Sequence, residues 1–528
     1  YRDFPEIGGR NVVAYFDFDL SDGVPLEVKV ALSPVRASGA LNNLRVETAG
    51  RSFEQLRDLA EQKWENALSV VEVEGDYDQT CNIYSSLYHT MINPSLYMDH
   101  DGAYRGLDHE IHHADDFINY TVFSVWDTYR ALHPLFNLFY PSRSKDIIAS
   151  FLKHYQQSVH GALPIWSHMA NENWCMIGYH GVSVVADAYV KGIEMDEKLA
   201  LEAVMSNSTI PYLDGLKEYM ELGYVPMNKS GNSASVTLEY GYDDWTIYNM
   251  ARLMGKQEVA DKYLKRAAAY KYLVDEDLGF IRPKDSVGKW KANFDVLDTH
   301  GQGFIEGNSW NYSFYVPQDV NGVKIFMGGD KRFIERLDSL FTMDLPAKYY
   351  EKTEDITQEG LMGNYGHGNE PSQHIPYLYM WTSQPWKTQY RLREIMDRMY
   401  RNNIDGLCGN DDCGQMSAWY IFSAMGFYPV CPGSDQYVFG APYFKEMVIH
   451  LENGKDLVIK APKVSDKNRY VKSVKLNGKE YDKAYLTHRD ICNGGEIYFE
   501  MCSSPNKKRV FTNDQKPYSM TSDENNNR

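Results

Sequence analysis

Apolar residues at helical spacing fill the chain from about residue 50 to residue 430, and this pattern constrains the fold most strongly. The helical segments come in pairs, separated by long loops rich in Gly, Asn and Pro. Paired helices without a short repeat period predict a ring of helical hairpins, an (α/α)6 barrel, whose loops gather a site at one end. The predicted helices are 78–92, 121–133, 144–158, 178–192, 197–206, 237–254, 256–272, 308–316, 331–342, 372–381, 387–402 and 414–426.

Both ends of the chain change to the two-residue alternation of β-strands. Near the start, 11–18 and 26–35 alternate and carry β-branched residues. Two strands cannot hold a sheet alone, so we expect them to end a β-sandwich whose other strands lie upstream. After Pro432, the segments 447–462 and 471–486 each centre on Asn-Gly, which predicts hairpins. The predicted fold is therefore multidomain, with α and β parts.

These changes of period also set the predicted domain boundaries. A capping box, Ser52 with Gln55, begins an apolar helical stripe that we interpret as a linker helix. The last ten residues, 519–528, are polar, so we expect them to fray. The predicted parts are the end of an N-terminal β-sandwich at 1–50, the linker helix at 51–75, the (α/α)6 catalytic barrel at 76–434, and a small C-terminal β domain with its tail at 435–528.

Composition excludes several classes of partner. The net charge of −18 disfavours nucleic acid and anionic membranes. The seven cysteines lack metal-finger spacing, and no run of eighteen apolar residues predicts membrane insertion. Aromatic residues make up 14% of the chain, a surplus that is common in carbohydrate-binding proteins. No signal peptide is visible, and because the chain begins without Met we expect any export signal to lie upstream.

Glu306 is the first candidate for acid–base chemistry. Gly303 and Gly307 allow the backbone to turn around it, and Trp310 is one of its apolar neighbours. A carboxyl group in apolar surroundings tends to have a raised pKa, which a general acid needs. The alternative is a glutamate that stabilises the N-terminus of a helix through the helix dipole.

The second candidate is a pair of adjacent acids, Asp411 and Asp412, which precedes a strongly apolar helix. Adjacent acids at a helix start are usually caps, and because adjacent side chains point apart, at most one would face a substrate. The loop with Asn369 and Glu370 offers carbonyl, amide and carboxylate oxygens, which suit a hard cation such as Ca²⁺. A capped turn beginning at Pro371 is the alternative.

Several aromatic and histidine residues surround these acids in the sequence. Trp126 and Asp127 could grip a sugar ring and its hydroxyls, although an ion pair of Asp127 with Arg130 on one helix is the simpler interpretation. The spacing of His367 and His374 is a poor match to a zinc site, so we interpret both as hydrogen-bonding residues. Buried acids in aromatic helices are the remaining candidates, as inner-barrel residues or ion pairs: Glu172, Glu239, Asp243 and Asp244.

Several of these segments are long enough to be specific. Residues 301–319, 367–381, 384–389 and 409–433 resemble signature segments of glycoside hydrolase family 92, and the similarity continues in order along nearly the whole chain. The resemblance implies an exo-acting α-mannosidase that depends on Ca²⁺ and inverts the anomeric centre. It also implies an N-terminal β-sandwich beside an (α/α)6 barrel. A mannose-containing glycan is then the expected substrate, and the expected location is periplasmic, cell-surface or secreted.

The resemblance also implies roles for individual residues. It makes Glu306 the general acid and places the base in the Asp411–Asp412 pair, where we favour Asp412. It places Asn369 and Glu370 in the calcium region. It places Trp126, Asp127 and Trp310 in the terminal-mannose pocket. From the residues themselves, Trp174, His367 and His374 are also expected to bind substrate.

Two alternatives stay open at this point. One is another (α/α)6 enzyme, a glucosidase or a polysaccharide lyase. A lyase would need basic residues to bind a uronate carboxylate, and the acidic balance of the chain disfavours it. The other is a non-catalytic helical glycan-binding protein, which would keep its aromatic residues but would not need Glu306.

Overall fold

The computed structural model describes residues 8–351 and 357–522 and has a mixed α/β fold. The strands predicted at 11–18 and 26–35 do not form in it. Residues 8–36 lie outside helices and strands, and most of their side chains are exposed. The alternating pattern is present, but a strand also needs a partner for its backbone N–H and C=O groups, and none of the described residues pairs with this segment.

Helices dominate the middle of the chain, as predicted. Those at 78–92, 144–158, 197–206 and 237–254 form within a few residues of their predicted bounds, and 372–381 forms as 3₁₀-helix. The α-helices are α1 (Ala37–Thr48), α2 (Phe53–Leu68), α3 (Tyr77–Thr90), α4 (Val125–Thr128), α5 (Leu132–Phe139), α6 (Pro141–Gln157), α7 (Gly181–Val190), α8 (Glu197–Asn207), α9 (Leu216–Leu222), α10 (Ser233–Leu253), α11 (Gln257–Arg266), α12 (Ser309–Tyr312), α13 (Val320–Phe326), α14 (Asp330–Thr342), α15 (Trp386–Met399), α16 (Gln415–Met425) and α17 (His488–Cys492). The 3₁₀-helices are Ala269–Leu273, Pro317–Asp319, Ala347–Tyr349, Glu370–Ser372 and Ile375–Trp381.

Strands between the helices are short, and the longer ones gather at the C-terminal end. They are β1 (Val71–Glu74), β2 (Ser95–Leu96), β3 (Ala103–Arg105), β4 (Ile111–His113), β5 (Tyr120–Thr121), β6 (Phe123–Ser124), β7 (Trp166–His168), β8 (Asn171–Glu172), β9 (Val274–Asp275), β10 (Phe280–Ile281), β11 (Leu361–Met362), β12 (Tyr365–Gly366), β13 (Phe427–Tyr428), β14 (Gln436–Phe439), β15 (Glu446–His450), β16 (Asp456–Lys460), β17 (Tyr470–Leu476), β18 (Lys479–Tyr481), β19 (Tyr485–Thr487) and β20 (Gly495–Cys502).

The largest sheet has the strand order β1-β15-β16-β20-β17-β18. Both Asn-Gly hairpins of the C-terminal region are confirmed. Between β17 and β18, Asn477 and Gly478 have φ values of 51° and 77°, as a two-residue hairpin turn requires. The sheet takes its edge strand β1 from the region between α2 and α3, so the linker contributes a strand to the C-terminal sheet as well as the predicted helix.

The α10 helix lies at the centre of the helical part. It is buried along almost its whole length and packs against α7 and α11. Burial on all sides explains why its sequence shows no polar stripe. The linker helix α2 is the opposite case: its capping box forms as predicted, yet none of its residues is buried. None of the helices in the described ranges is long and apolar enough to cross a membrane.

The C-terminal tail is ordered up to residue 522. The Ser519 hydroxyl donates to Oδ1 of Asp319 at 2.7 Å, and the Thr521 hydroxyl donates to Oδ2 at 2.6 Å. Met520 is buried between them. The predicted fraying is therefore wrong for 519–522, because the buried Asp319 carboxylate fixes these residues. Residues 523–528 lie outside the described part of the chain.

Candidate active site

Three carboxyl groups from distant parts of the sequence meet in one buried cluster, which we call the acid cluster: Asp127, Glu370 and Asp412. One oxygen from each lies within 4.8 Å of the others. Asp127 is in α4, Glu370 begins a 3₁₀-helix, and Asp412 lies in the loop before α16. The side chains of Asp127 and Glu370 are buried, and Asp412 is partly exposed. The cluster is thus open on the Asp412 side.

The turn before α16 explains the position of Asp412. Asp412 and Cys413 have positive φ values of 48° and 58°, and Gly414 follows at 90°. A Cβ atom at Gly414 would lie 2.8 Å from the Cα atom of Thr90 in α3, so only glycine fits this contact. Residues other than glycine rarely adopt this backbone conformation, and strained residues of this kind concentrate at functional sites.

The acid cluster has unusual electrostatics. Burial raises the pKa of Asp127 well above its ordinary value, and the negative charge of Asp412 raises it further. Burial also raises the pKa of Glu370, with added contributions from Asp127 and Asp412. The charge of Arg130 lowers the pKa of both groups, but it does not offset burial. Three carboxyl groups so close together need protons or a cation to be stable.

Two oxygens beside the acid cluster stay unsatisfied. Within the described ranges, Oδ1 of Asn369 and Oε1 of Glu370 are buried without a hydrogen-bond partner. Buried oxygens without a partner are uncommon and call for an explanation such as a bound ion. The amide nitrogen of Asn369 donates to the backbone carbonyl of Glu306, so the same side chain joins this loop to the Glu306 loop.

Glu306 lies close to the acid cluster but outside it. Its φ is 46°, and the preceding Ile305 N–H donates to the Ser235 hydroxyl of α10 at 3.2 Å. Asn308, not Glu306, caps helix α12, so the helix-terminus alternative is wrong. Glu306 lines a small pocket together with Asn311, Asn364, Asn369 and Ser372. Its charge contributes to the raised pKa of Asp127, after burial and Asp412, which places it near the cluster.

Asp411 and Asp412 point apart, as predicted. Oδ1 of Asp411 accepts hydrogen bonds from the backbone N–H and the hydroxyl of Ser417, at 2.9 Å and 2.8 Å. Its Oδ2 lies 3.6 Å from Nδ1 of His89. Asp411 therefore fixes the start of α16, and Asp412 alone joins the acid cluster.

A buried network supports Trp126, the neighbour of Asp127. The Trp126 indole N–H donates to Oε2 of Glu239 at 2.9 Å. Nε2 of His180 lies 2.9 Å from the same oxygen, and Nδ1 of His180 lies 2.7 Å from Oδ1 of Asp243. The network joins α4 to α10 through the N-terminus of α7. The interpretation of Glu239 and Asp243 as ion-paired residues is confirmed, with His180 as the partner.

The charge of His180 predicts a pH-dependent stability. Burial alone would lower its pKa, but Asp243 and Glu239 raise it from 6.5 to about 8. Because the folded value exceeds the unfolded one, protonation stabilises the fold fully below pH 6.5, and this stabilisation is lost as the pH rises through about 8. We expect the contribution to be about 2 kcal/mol. The melting temperature of the wild-type chain should therefore fall more steeply above neutral pH than that of His180→Gln. Equal pH dependence of the two proteins would show that His180 does not titrate in this range.

Arg130 lies among aromatic rings near the acid cluster. Its guanidinium lies 4.8 Å from the ring centroid of Trp126 and 4.6 Å from that of Tyr129, and its Nε donates to the backbone carbonyl of Trp126 at 3.1 Å. Cation–π contacts of this kind hold a buried charge in place. The ion pair predicted between Asp127 and Arg130 is not among the salt bridges of the described residues. Arg130 acts on Asp127 only as a nearby charge that lowers its pKa.

The two histidines of the 367–381 segment are buried. Nδ1 of His367 lies 2.7 Å from the Tyr365 hydroxyl, and Nε2 lies 2.8 Å from the Tyr400 hydroxyl. Nε2 of His374 lies 2.9 Å from the carbonyl oxygen of Phe314. Burial lowers the pKa of His367 to about 3 and that of His374 to about 4. Their predicted hydrogen bonding is confirmed, and contact of either with substrate stays a prediction that this burial disfavours.

The tryptophans predicted to bind substrate lie in different environments. Trp126 is 2% exposed, and its N–H is already bonded to Glu239. It therefore holds the neighbouring Asp127 in position. Trp310 is half-buried and packs against Phe280, with ring centroids 4.9 Å apart. Trp174 is half-buried in an outer loop beside exposed rings. Their neighbouring rings, Phe280 and Tyr212, were not predicted, because they come from distant parts of the sequence.

Acids set among aromatic rings and amides form an arrangement typical of carbohydrate sites. The model of the glycosyl hydrolase family 92 catalytic domain matches residues 39–503, and the chain belongs to this family. A family 92 α-mannosidase from Bacteroides thetaiotaomicron is 44% identical, with a TM-score of 0.88; the match covers 92% of this chain and 64% of that one. A structure of that mannosidase in complex with mannoimidazole matches with a TM-score of 0.89.

Two further relatives extend the comparison. An inverting family 92 mannosidase from the same organism is 37% identical, with a TM-score of 0.84; the match covers 93% of this chain and 68% of that one. A protein described as an uncharacterized secreted glycosidase of Arthroderma benhamiae is 25% identical over 554 residues, 95% of this chain and 64% of its own length. The chain therefore spans about two thirds of the length of its relatives.

Proposed function

We propose that this chain is the catalytic part of an exo-acting α-mannosidase, which releases terminal α-linked mannose from mannosides and N-glycans with inversion and depends on Ca²⁺. The acid cluster beside a separate Glu306 is the observation that carries the proposal, because glycoside hydrolysis by inversion needs a general acid apart from a general base. Relatives described as family 92 α-mannosidases, one of them inverting and one solved with mannoimidazole, support it.

The proposed roles follow from the surroundings of each acid. Glu306 protonates the leaving oxygen, and its Gly-flanked loop places it near but outside the acid cluster. Asp412 takes the proton from the attacking water, because it is the partly exposed member of the cluster. Asp411 keeps the Asp412 turn in position through its two bonds to Ser417. Asp127 binds and orients the terminal mannose from the side of α4, and the buried Trp126 holds Asp127 in place through its bond to Glu239.

The residues of the acid cluster fit a hard divalent cation. Asn369 and Glu370 each offer a buried oxygen without a hydrogen-bond partner in the described part of the chain, and Asp127 adds a nearby carboxylate. Oxygen ligands without thiolate or imidazole favour Ca²⁺ over transition metals. Bound there, Ca²⁺ would supply positive charge to polarise and orient substrate hydroxyls. The protein residues would then be Asn369, Glu370 and Asp127, with Asp412 beside them.

The barrel architecture and the location of the protein complete the proposal. The paired helices between residues 76 and 434 form an (α/α)6 barrel, with α10 among its inner helices because it is buried on all sides. The protein acts in the periplasm, at the cell surface or in the medium, which agrees with a secreted glycosidase among its relatives. The domain boundaries at 50, 75 and 434 stay predictions.

The proposed function is tested by mannose release from linkage-defined mannobioses, with an aryl α-glucoside as the competing substrate class. We expect β-mannose as the first product seen by NMR. An inverting site leaves room for a water molecule, which attacks the anomeric carbon from the face opposite the leaving group. Early release of α-mannose would mean retention and contradict the assigned base. Hydrolysis of the glucoside alone would favour another (α/α)6 enzyme, and absence of any turnover would favour the glycan-binding alternative.

A further inference from the structure

Three exposed or half-buried aromatic rings pack together outside the acid cluster, and we call them the aromatic platform: His160, Trp174 and Tyr212. The ring centroids of His160 and Trp174 are 5.2 Å apart, those of His160 and Tyr212 5.1 Å, and those of Trp174 and Tyr212 5.8 Å. All three pairs are edge-to-face. Tyr212 is 55% exposed. The rings come from three loops, after α6, after β8 and between α8 and α9, so local sequence does not explain their meeting.

A buried carboxylate fixes the Trp174 loop. Glu172, whose side chain is 4% exposed, accepts hydrogen bonds from the backbone N–H groups of Ile165, Trp166 and Trp174 at 2.9, 2.8 and 3.1 Å. The next residue, Cys175, donates its N–H to the side chain of Asn173 at 2.9 Å. These bonds hold the loop in one conformation, so Trp174 is presented rigidly even though it is only half-buried.

The backbone around Trp174 is strained. Trp174 and Met176 have positive φ values of 58° and 64°, and Met169 and Ala170 on the same hairpin have 45° and 63°. Bulky residues rarely adopt this conformation, and where they do, the surrounding structure must hold them there. Trp174 is not part of the buried core, so core packing does not account for the strain.

The Trp174 loop connects to the acid cluster through the sheet β6-β7-β8. In the sheet β6-β7-β8, Ser124 pairs with Trp166, and the N–H of Asn173 donates to the carbonyl of Trp166 at 3.3 Å. The Ser124 hydroxyl donates to Asp127. Cys175, which follows Trp174, lies near enough to Asp127 and Glu306 that their charges raise its pKa, after the larger effect of burial. Trp174 directly precedes Cys175, so the platform lies close to Glu306, which on the proposed function faces the leaving group.

We propose that the aromatic platform binds a pyranose ring of the glycan on the leaving-group side of the scissile bond, so that extended mannosides are better substrates than simple ones. This inference rests on the proposed function. Tyr212 is more than half exposed, and the apolar C–H face of a sugar stacks on exposed aromatic rings. Because the Trp174 loop lies near Glu306, the proposed donor to the leaving oxygen, the platform acts on the second or a later sugar.

The test compares two substrates in two variants. Tyr212→Ala should lower kcat/KM for α-linked mannotriose by roughly 3- to 10-fold, the loss expected for one aromatic contact, mainly through KM. The same variant should hydrolyse an aryl α-mannoside as well as the wild type, because that substrate does not reach the platform. Tyr212→Phe keeps the ring and should restore the mannotriose value. Tyr272→Ala is the matched control, since Tyr272 is also about half exposed, at 52%, and packs against Tyr224 instead.

Equal losses on both substrates, or unchanged mannotriose kinetics, would overturn the platform while leaving the proposed function intact. A direct binding measurement tests the platform even if the proposed function fails. In the Glu306→Gln background, titration calorimetry with mannotriose should show weaker binding when Tyr212→Ala is added. If the unmodified chain hydrolyses no mannoside but this difference in binding is seen, the platform stands and the proposed function fails. If no difference is seen, the platform is overturned.

Discussion

Replacing Glu306 by Gln is expected to lower kcat for a natural mannobiose by ~10²–10⁴-fold, which is the usual size of general acid–base assistance. The structure gives the physical reason. Glu306 stands apart from the three acids of the cluster, at a strained position that neighbouring loops hold in place. The amide of glutamine keeps the size of the side chain but has no proton to transfer to the leaving oxygen. The measurement is kcat on the mannobiose under saturating substrate.

Substrate choice makes this prediction specific to proton donation. An aryl α-mannoside with a good leaving group needs little protonation, so Glu306→Gln should lose much less activity on it. Glu480→Gln, an exposed glutamate in the C-terminal hairpin, is the matched control and should behave like the wild type on both substrates. Equal losses on the mannobiose and the aryl substrate would remove Glu306 from the role of general acid.

The helical part of the fold was largely predictable because the signal for a helix is local. Apolar residues at helical spacing placed α6, α8 and α10 within a few residues of their observed ends. The Asn-Gly hairpins were predictable for the same reason, since two residues determine the turn. The strands at 11–18 and 26–35 fail because pairing depends on a partner that the local pattern does not specify, and none of the described residues supplies it.

The candidate site was predictable in its residues but not in its grouping. Sequence patterns singled out Asp127 as a candidate sugar contact and Glu370 as a candidate metal ligand. Only the family resemblance gave Asp412 the role of a base. Their meeting within 4.8 Å depends on how α4, a 3₁₀-helix and the loop before α16 pack together, which no local pattern encodes. His367 shows the same limit: its hydrogen bonding was predicted, but packing decides that its partners are Tyr365 and Tyr400.

Removal of Ca²⁺ by exhaustive chelation is expected to abolish mannoside hydrolysis without unfolding the protein. The acid cluster explains the first part, because three close carboxyl groups and two unsatisfied oxygens lack a compensating charge without a cation. The buried core explains the second, since it consists of aromatic and aliphatic residues that do not depend on the ion. Readded Ca²⁺ should restore activity, whereas Mg²⁺, which requires a tighter octahedral shell, should substitute poorly.

Binding can be followed apart from catalysis, which makes the metal prediction independent of the substrate. A ligand that binds only the folded chain raises its melting temperature as the ligand concentration passes the dissociation constant. Ca²⁺ should therefore raise the melting temperature of the chelated wild-type chain and of Glu480→Gln, and should do so much less for Glu370→Gln. That variant removes one charge from the cluster and replaces an oxygen ligand by an amide. Full activity after chelation, with metal analysis confirming an empty site, would exclude Ca²⁺ dependence. An equal thermal response in Glu370→Gln would place the ion elsewhere.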